Sequence, residues 1–190
     1  MITLGVDPGL RLTGYACIRV AGPRCEILEA GVIRLRRRDE EDPKAAPSVS
    51  QRLAELDREF RALLERLTPE SVAVEGLFAH REHPATGMIM GHARGVLLLA
   101  VAQRGLPLVE LKPAAVKKFL TGSGRADKGQ MQRAVQHHFG LAEAPTPADV
   151  ADAIAIALCA SERSRLGLPA PTASGARKRR RTLPADVLAR

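Results

Sequence analysis

The chain has 190 residues, enough for one domain that buries roughly 70% of its unfolded surface without staples. Three cysteines with no paired C-x-x-C spacing argue against a disulfide framework or a zinc site and for a reducing interior. The formal charge is +8, but six cations and one Asp beyond Ala176 carry +5 of it, so the body is only mildly basic; with no Trp and one Tyr, a nucleic-acid surface built on many stacked aromatics is not expected.

The first half opens with strands. Ile2, Leu4 and Val6 alternate with Thr3, Gly5 and Asp7, and Pro8-Gly9 turns the chain. This opening is not a charged stretch followed by an apolar core, so no signal peptide is expected. Thr13 to Val20 and Arg24 to Leu35 read as further strands with a hairpin turn at Ala21-Gly22-Pro23, which gives an antiparallel meander. Residues 36–47 are charged and contain Pro, a solvated loop.

Ser48 or Ser50 can cap a helix with Leu53, Leu56, Phe60, Leu63, Leu64 and Leu67 at helical spacing. The strand Ser71 to Glu75 follows, then a loop, then an apolar helix from Ala85 to Arg104. Its longest apolar run, Gly95 to Ala102, is too short to span a membrane, and the expected location is the cytoplasm. Pro107 to Leu111 reads as a fifth strand. Helices are predicted from Pro113, from Lys128 and from about Pro147. From residue 168 to 190 Pro, Ala, Ser and Arg dominate, and a flexible basic tail is expected after a body of 1–167. Strands and helices in this order predict an α/β fold, a mixed five-stranded sheet flanked by helices.

Four carboxylates occupy positions that such a fold does not require. Asp7 and Glu75 end strands, where sites form in open sheets. Asp149 and Asp152 lie one turn apart on one face of the last helix. Each has another explanation. Asp7 before Pro8-Gly9 is ordinary turn chemistry. Glu75 can sit at the surface where the sheet stops. Thr146-Pro147-Ala148-Asp149 matches a capping box with Thr146 as the cap. Asp152 is the exception, because the helix from Val150 to Leu158 has Ala or a larger apolar residue everywhere else, and an isolated buried Asp is expensive. Clustered carboxylates in a basic protein call for divalent metal, and metal beside a basic surface points to phosphodiester chemistry on nucleic acid.

The stretch Lys112 to Lys128 gathers Lys117, Lys118, Arg125 and Lys128 around Thr121-Gly122-Ser123-Gly124, a candidate phosphate-binding region or a solvated helix face with a flexible turn. It lacks the spacing of a nucleotide P-loop. Phe78, in a polar loop with His80, Arg81 and His83, is a candidate wedge against a base step or an inward-packed side chain. The histidines, including His137 and His138, read as surface residues.

Taken together, Gly5-Val6-Asp7-Pro8-Gly9 with Thr13-Gly14, Glu75-Gly76-Leu77-Phe78, Val116-Lys117 through Lys128, and Asp149-Val150-Ala151-Asp152 resemble the RuvC family of Holliday junction resolvases, in order from Met1 to about Arg165. The resemblance implies a ribonuclease H-like fold and a homodimer that cuts two opposing strands of a four-way junction symmetrically, leaving 5′-phosphate and 3′-hydroxyl ends. It assigns metal binding and catalysis to Asp7, Glu75, Asp149 and Asp152, with two Mg²⁺ ions per subunit, or Mn²⁺ in their place. It gives Lys117 and Lys128 roles near the scissile strand, makes Phe78 a junction-disrupting aromatic, and implies partnership with the RuvA–RuvB branch-migration complex. Two rivals stand beside it: a junction-binding architectural protein with an inactive site, and an actin-like kinase or ATPase, for whose second domain this length leaves no room.

Overall fold

The computed structural model describes residues 1–35, 47–76 and 84–168. The elements run β1 (Ile2–Asp7), β2 (Leu12–Ala21), β3 (Arg24–Arg34), α1 (Val49–Leu67), β4 (Ser71–Glu75), α2 (Pro84–Gln103), β5 (Leu108–Leu111), α3 (Pro113–Thr121), α4 (Lys128–Phe139) and α5 (Ala148–Arg165). Five strands form one mixed sheet in the order β3-β2-β1-β4-β5. The first three are the expected antiparallel meander, with β2 and β3 joined through Gly22 at φ 61°. β4 joins β1, and β5 joins β4, both in parallel. Each follows a helix, as parallel pairing requires.

Alternation along the central strands separates two cores. Leu4 and Val6 of β1 and Val72 and Val74 of β4 face one side, against Leu56, Phe60 and Leu64 of α1 and Leu97 and Val101 of α2. Ala73 of β4 faces the other side with Leu111 of β5, against Val116, Met131, Val135 and the apolar residues of α5. By the same period of two, Asp7 and Glu75 belong to the α5 side.

Helix α1 starts where Ser48 and Gln51 form a reciprocal capping box, and it ends at Thr68 in the left-handed conformation, just before Pro69. Helix α5 is buried from Val150 to Ser161, apart from the partly exposed Asp152. It rests on β1 at Gly5, where a Cβ would lie 2.3 Å from the Ala153 carbonyl oxygen and 2.5 Å from the Ala157 nitrogen. Further along, the Ser161 hydroxyl donates to Thr3 Oγ1 at 2.9 Å, and Thr3 shares a 3.2 Å hydrogen bond with Ser71. These hydroxyls, of which Thr3 and Ser161 are buried, pin the helix to β1 and β4.

One expectation fails. Thr146 does not cap α5; the cap position is Pro147, with no side-chain hydrogen bond, and the helix starts at Ala148. Proline supplies no side-chain acceptor. Asp149 still occupies the first turn, where the helix dipole favours negative charge, but it is left without a capping role.

Candidate active site

Strand pairing brings the first two carboxylates together. Val6 pairs with Val74 in the parallel ladder, so Asp7 and Glu75, each the next residue, end adjacent strands on the same face. Adjacent strands lie about 4.8 Å apart. Asp7 also pairs across the sheet with Gly14 of β2. Above Gly14 sits Asp149: a Cβ built on that glycine would be 2.1 Å from the Asp149 carbonyl oxygen and 3.2 Å from its Cβ. Asp152 follows one helical turn later. All four line a single cleft of about 1190 Å³, together with Lys117 and Lys128.

The turn after β1 is fixed by Thr13, whose buried hydroxyl donates to the Gly9 carbonyl oxygen at 2.7 Å and accepts from the Gly9 amide at 3.3 Å. Asp7 therefore leaves its strand over a turn held by another residue. On the far side of the ladder Arg94 of α2 donates through Nε to the Glu75 carbonyl oxygen at 3.1 Å and forms an ion pair with Glu110 of β5. The residue count alone did not reveal Arg94. The signal was present, because a lone Arg among Met90, Val96 and Leu97 demands a partner for the same reason that Asp152 does.

The electrostatics reflect crowding of like charge. Burial first, then the neighbouring Glu75, Asp152 and Asp149, push the Asp7 carboxyl up to about 8 from 3.8, with Lys128 opposing. Burial and then Asp152 push Glu75 up to about 7, against the pull of Lys117. Asp152 is also raised, chiefly by burial, with Lys128 and Lys117 opposing. The two lysines thus act on this group of acids and only partly offset it.

Their placement comes from the α3–α4 connection. Lys117 Nζ donates to the Ala126 carbonyl oxygen at 2.8 Å, and Thr121 Oγ1 donates to the Lys117 carbonyl oxygen at 2.8 Å. Gly122 ends α3 at φ 78°, and Asp127 with Gln130 caps α4, whose first residue is Lys128. Lys118 and Arg125 are exposed and lie outside the cleft wall. Phe78, His80 and His83 lie outside the described residues; His137 and His138 are exposed on α4.

The donor set suits a hard divalent cation, which takes carboxylate oxygens. Among the described residues no three His, Cys, Asp or Glu side chains close around a common point. Like-charged carboxylates do not draw together unaided. The raised Asp7, Glu75 and Asp152 are acids whose ionisation a cation between them would favour, so the residues fit such a group.

The family model described as crossover junction endodeoxyribonuclease RuvC matches residues 3–160. A crossover junction endodeoxyribonuclease RuvC of Rhodopirellula baltica is 46% identical over 156 residues, 82% of this chain and 83% of that protein. One from Moorella thermoacetica is 43% identical over 159 residues, 84% of this chain and 90% of its own. Thermus thermophilus RuvC, solved in complex with Holliday junction substrate, superposes with a TM-score of 0.74 at 30% identity, covering 88% of this chain and 96% of that one. With the ribonuclease H-like sheet and the acidic cleft at its strand ends, these matches assign the chain to the RuvC family of crossover junction endodeoxyribonucleases.

Proposed function

We propose that this endodeoxyribonuclease resolves four-way DNA junctions by metal-dependent hydrolysis of opposing strands, and that Asp7, Glu75, Asp149 and Asp152 hold the metal. The observation that carries the reading is the meeting, in one cleft, of carboxylates from β1, β4 and α5 with lysines from α3 and α4.

Divalent ions there, Mg²⁺ or Mn²⁺ and two per subunit, would supply a water acidified to neutral pH and stabilisation of the departing 3′ oxygen. The chain's residues do the rest. Asp7 and Glu75, fixed by strand pairing, and Asp149 and Asp152, fixed by α5, present oxygen ligands at rigid positions. Lys128 and Lys117 stand beside those acids and stabilise charge that builds on the phosphate. Lys118, Arg125 and the basic segment 168–190 add attraction to the DNA backbone beyond the body of 1–167.

Symmetric cutting needs two copies, and support for a homodimer comes from α2, where Met88, His92, Gly95, Leu99 and Ala102 lie exposed along one stripe. The RuvA–RuvB branch-migration complex is the proposed partner and the cytoplasm the proposed location; no helix among the described residues is long and apolar enough to cross a membrane.

The test is incubation with a synthetic mobile four-way junction and a linear duplex, with and without Mg²⁺. Paired, ligatable nicks in the junction alone, dependent on metal, are expected. Tight junction binding without nicks under any divalent ion would favour the architectural reading and overturn this one.

A further inference from the structure

Among the described residues four cations line the cleft, and the chemistry above uses two. Lys117 and Lys128 act on Asp7, Glu75 and Asp152. Arg11 and Arg52 line the same cleft but do not figure among the charges that shift those three acids. They belong to a different wall. Arg11 comes from the turn between β1 and β2, and Arg52 from the first turn of α1, on the opposite face of the sheet from α3 and α4.

Neither arginine forms an ion pair with a carboxylate among the described residues. Arg52 goes further: its Nε is buried and has no hydrogen-bond partner among the described residues. A buried guanidinium N–H without an acceptor is destabilising, and native folds rarely keep one without a use. Glu75 and the three aspartates of the cleft offer acceptors in the same depression, yet the guanidinium does not reach them. The acceptor it suits is supplied from outside. Guanidinium groups match phosphate in geometry and charge, and hold it by paired N–H donors. A nucleic acid strand carries a phosphate about every 3.4 Å along the helix axis, so a backbone whose scissile group lies at the carboxylates presents others to the arginine wall.

We propose that Arg11 and Arg52 form a second phosphate seat in the cleft, which grips a DNA backbone phosphate other than the one being cut and so sets the register of the strand over the carboxylates. The inference rests on the reading of the chain as a junction nuclease, and it assigns a task to two residues that the hydrolysis itself does not employ.

The experiment measures junction binding by full-length protein in EDTA across a range of salt, for wild type, Arg11→Gln, Arg52→Gln, the double variant and Arg52→Lys. Each Gln variant should weaken binding roughly 5- to 10-fold and flatten the plot of log affinity against log salt by about 0.9, the value of one phosphate contact. Arg52→Lys should keep the slope. Because the Nε of Arg52 has no partner among the described residues, Arg52→Gln should melt no lower than wild type. A neutral methylphosphonate, stepped along the cut strand and then its complement, should weaken wild type at one linkage where the double variant is indifferent; that linkage tells which strand is held.

An unchanged slope in the double variant, or a methylphosphonate penalty undiminished at every linkage, overturns the proposal. So does a lower melting temperature for Arg52→Gln with the slope intact, which would make the arginine a packing residue. A wild type that neither prefers nor nicks the junction would instead sink the parent reading, so the two failures are distinct.

Discussion

Gly14 and Asp149 approach so closely that only glycine fits: a Cβ on Gly14 would lie 2.1 Å from the Asp149 carbonyl oxygen. Gly14 is also the cross-strand partner of Asp7. One residue without a side chain therefore sets the height of the α5 N-terminus above β1, and with it the separation of two acids from different ends of the chain. Gly14→Ala should push the first turn of α5 away from the sheet. Overpacking of this kind costs about 1–3 kcal/mol, and at this chain length each kcal/mol lowers Tm by roughly 2–4 °C. Cleavage should fall more steeply than that loss explains, with junction affinity nearly kept. A variant that cuts at the wild-type rate would mean that the α5 terminus does not set the site.

Asp7→Asn and Asp152→Asn separate binding from chemistry. Each keeps the size of the side chain and removes one negative charge, so the sheet and α5 should survive. Loss of the several kcal/mol that the proposed metal chemistry would supply corresponds to about a 10³-fold drop in rate or more. Junction affinity in EDTA should hold or improve, because each change removes negative charge from the cleft proposed to hold the DNA. Gel-shift and cleavage assays on the same preparations check both halves. Mg²⁺-dependent cutting by either variant would relocate the centre.

The sheet was legible because strand alternation is a local signal: Val72 and Val74 against Ala73 and Glu75 separates the two cores without knowledge of the partners. Asp152 was legible for a related reason, since a charge on an otherwise apolar helix must have company. What the residues alone left open was the meeting of distant parts. Parallel pairing of Val6 with Val74, which sets Asp7 beside Glu75, joins segments about 68 positions apart and leaves no local trace. The supposed Thr146 cap failed because the pattern T-P-x-D satisfies the spacing of a capping box, while Pro147 itself takes the cap position. Arg52 and Arg11 went unnoticed since single arginines on a helix or turn are ordinary surface residues in sequence. Only the cleft brings them opposite the acids.

Arg94 holds the end of β4 from the side away from the carboxylates of the cleft. Its Nε bonds the Glu75 carbonyl oxygen, and its terminal nitrogen pairs with Glu110. Arg94→Met should leave Glu110 half-buried without its partner and cost about 1–3 kcal/mol. A double variant with Glu110→Gln should recover part of that loss. The specific signature is a higher Mg²⁺ concentration for half-maximal cleavage in both variants, since the Glu75 backbone is no longer held. Thermal melts and Mg²⁺ titrations distinguish this from simple loss of stability. A loss of Tm with unchanged Mg²⁺ dependence would reduce Arg94 to a packing role.

The raised acids make stability depend on pH in an unusual direction. Asp7 ionises near 3.8 when unfolded and at about 8 in the fold, and Glu75 moves from 4.5 to about 7. Between these values the folded chain binds protons that the unfolded chain has released. The slope of unfolding free energy with pH is therefore negative, up to about 1.4 kcal/mol per pH unit for each such group. In EDTA the protein should be most stable near the acid end of this window and lose stability as pH rises from about 5 to 8, flattening above. Asp7→Asn should flatten much of the decline and raise Tm at pH 8, although it should abolish cutting. Mg²⁺ should stabilise wild type more at pH 8 than at pH 6, because a cation displaces the protons these acids otherwise keep. Melting curves in EDTA and in Mg²⁺ at four pH values suffice, and a stability that climbs from pH 5 to 8 in EDTA would contradict the crowding of Asp7, Glu75 and Asp152 in one cleft.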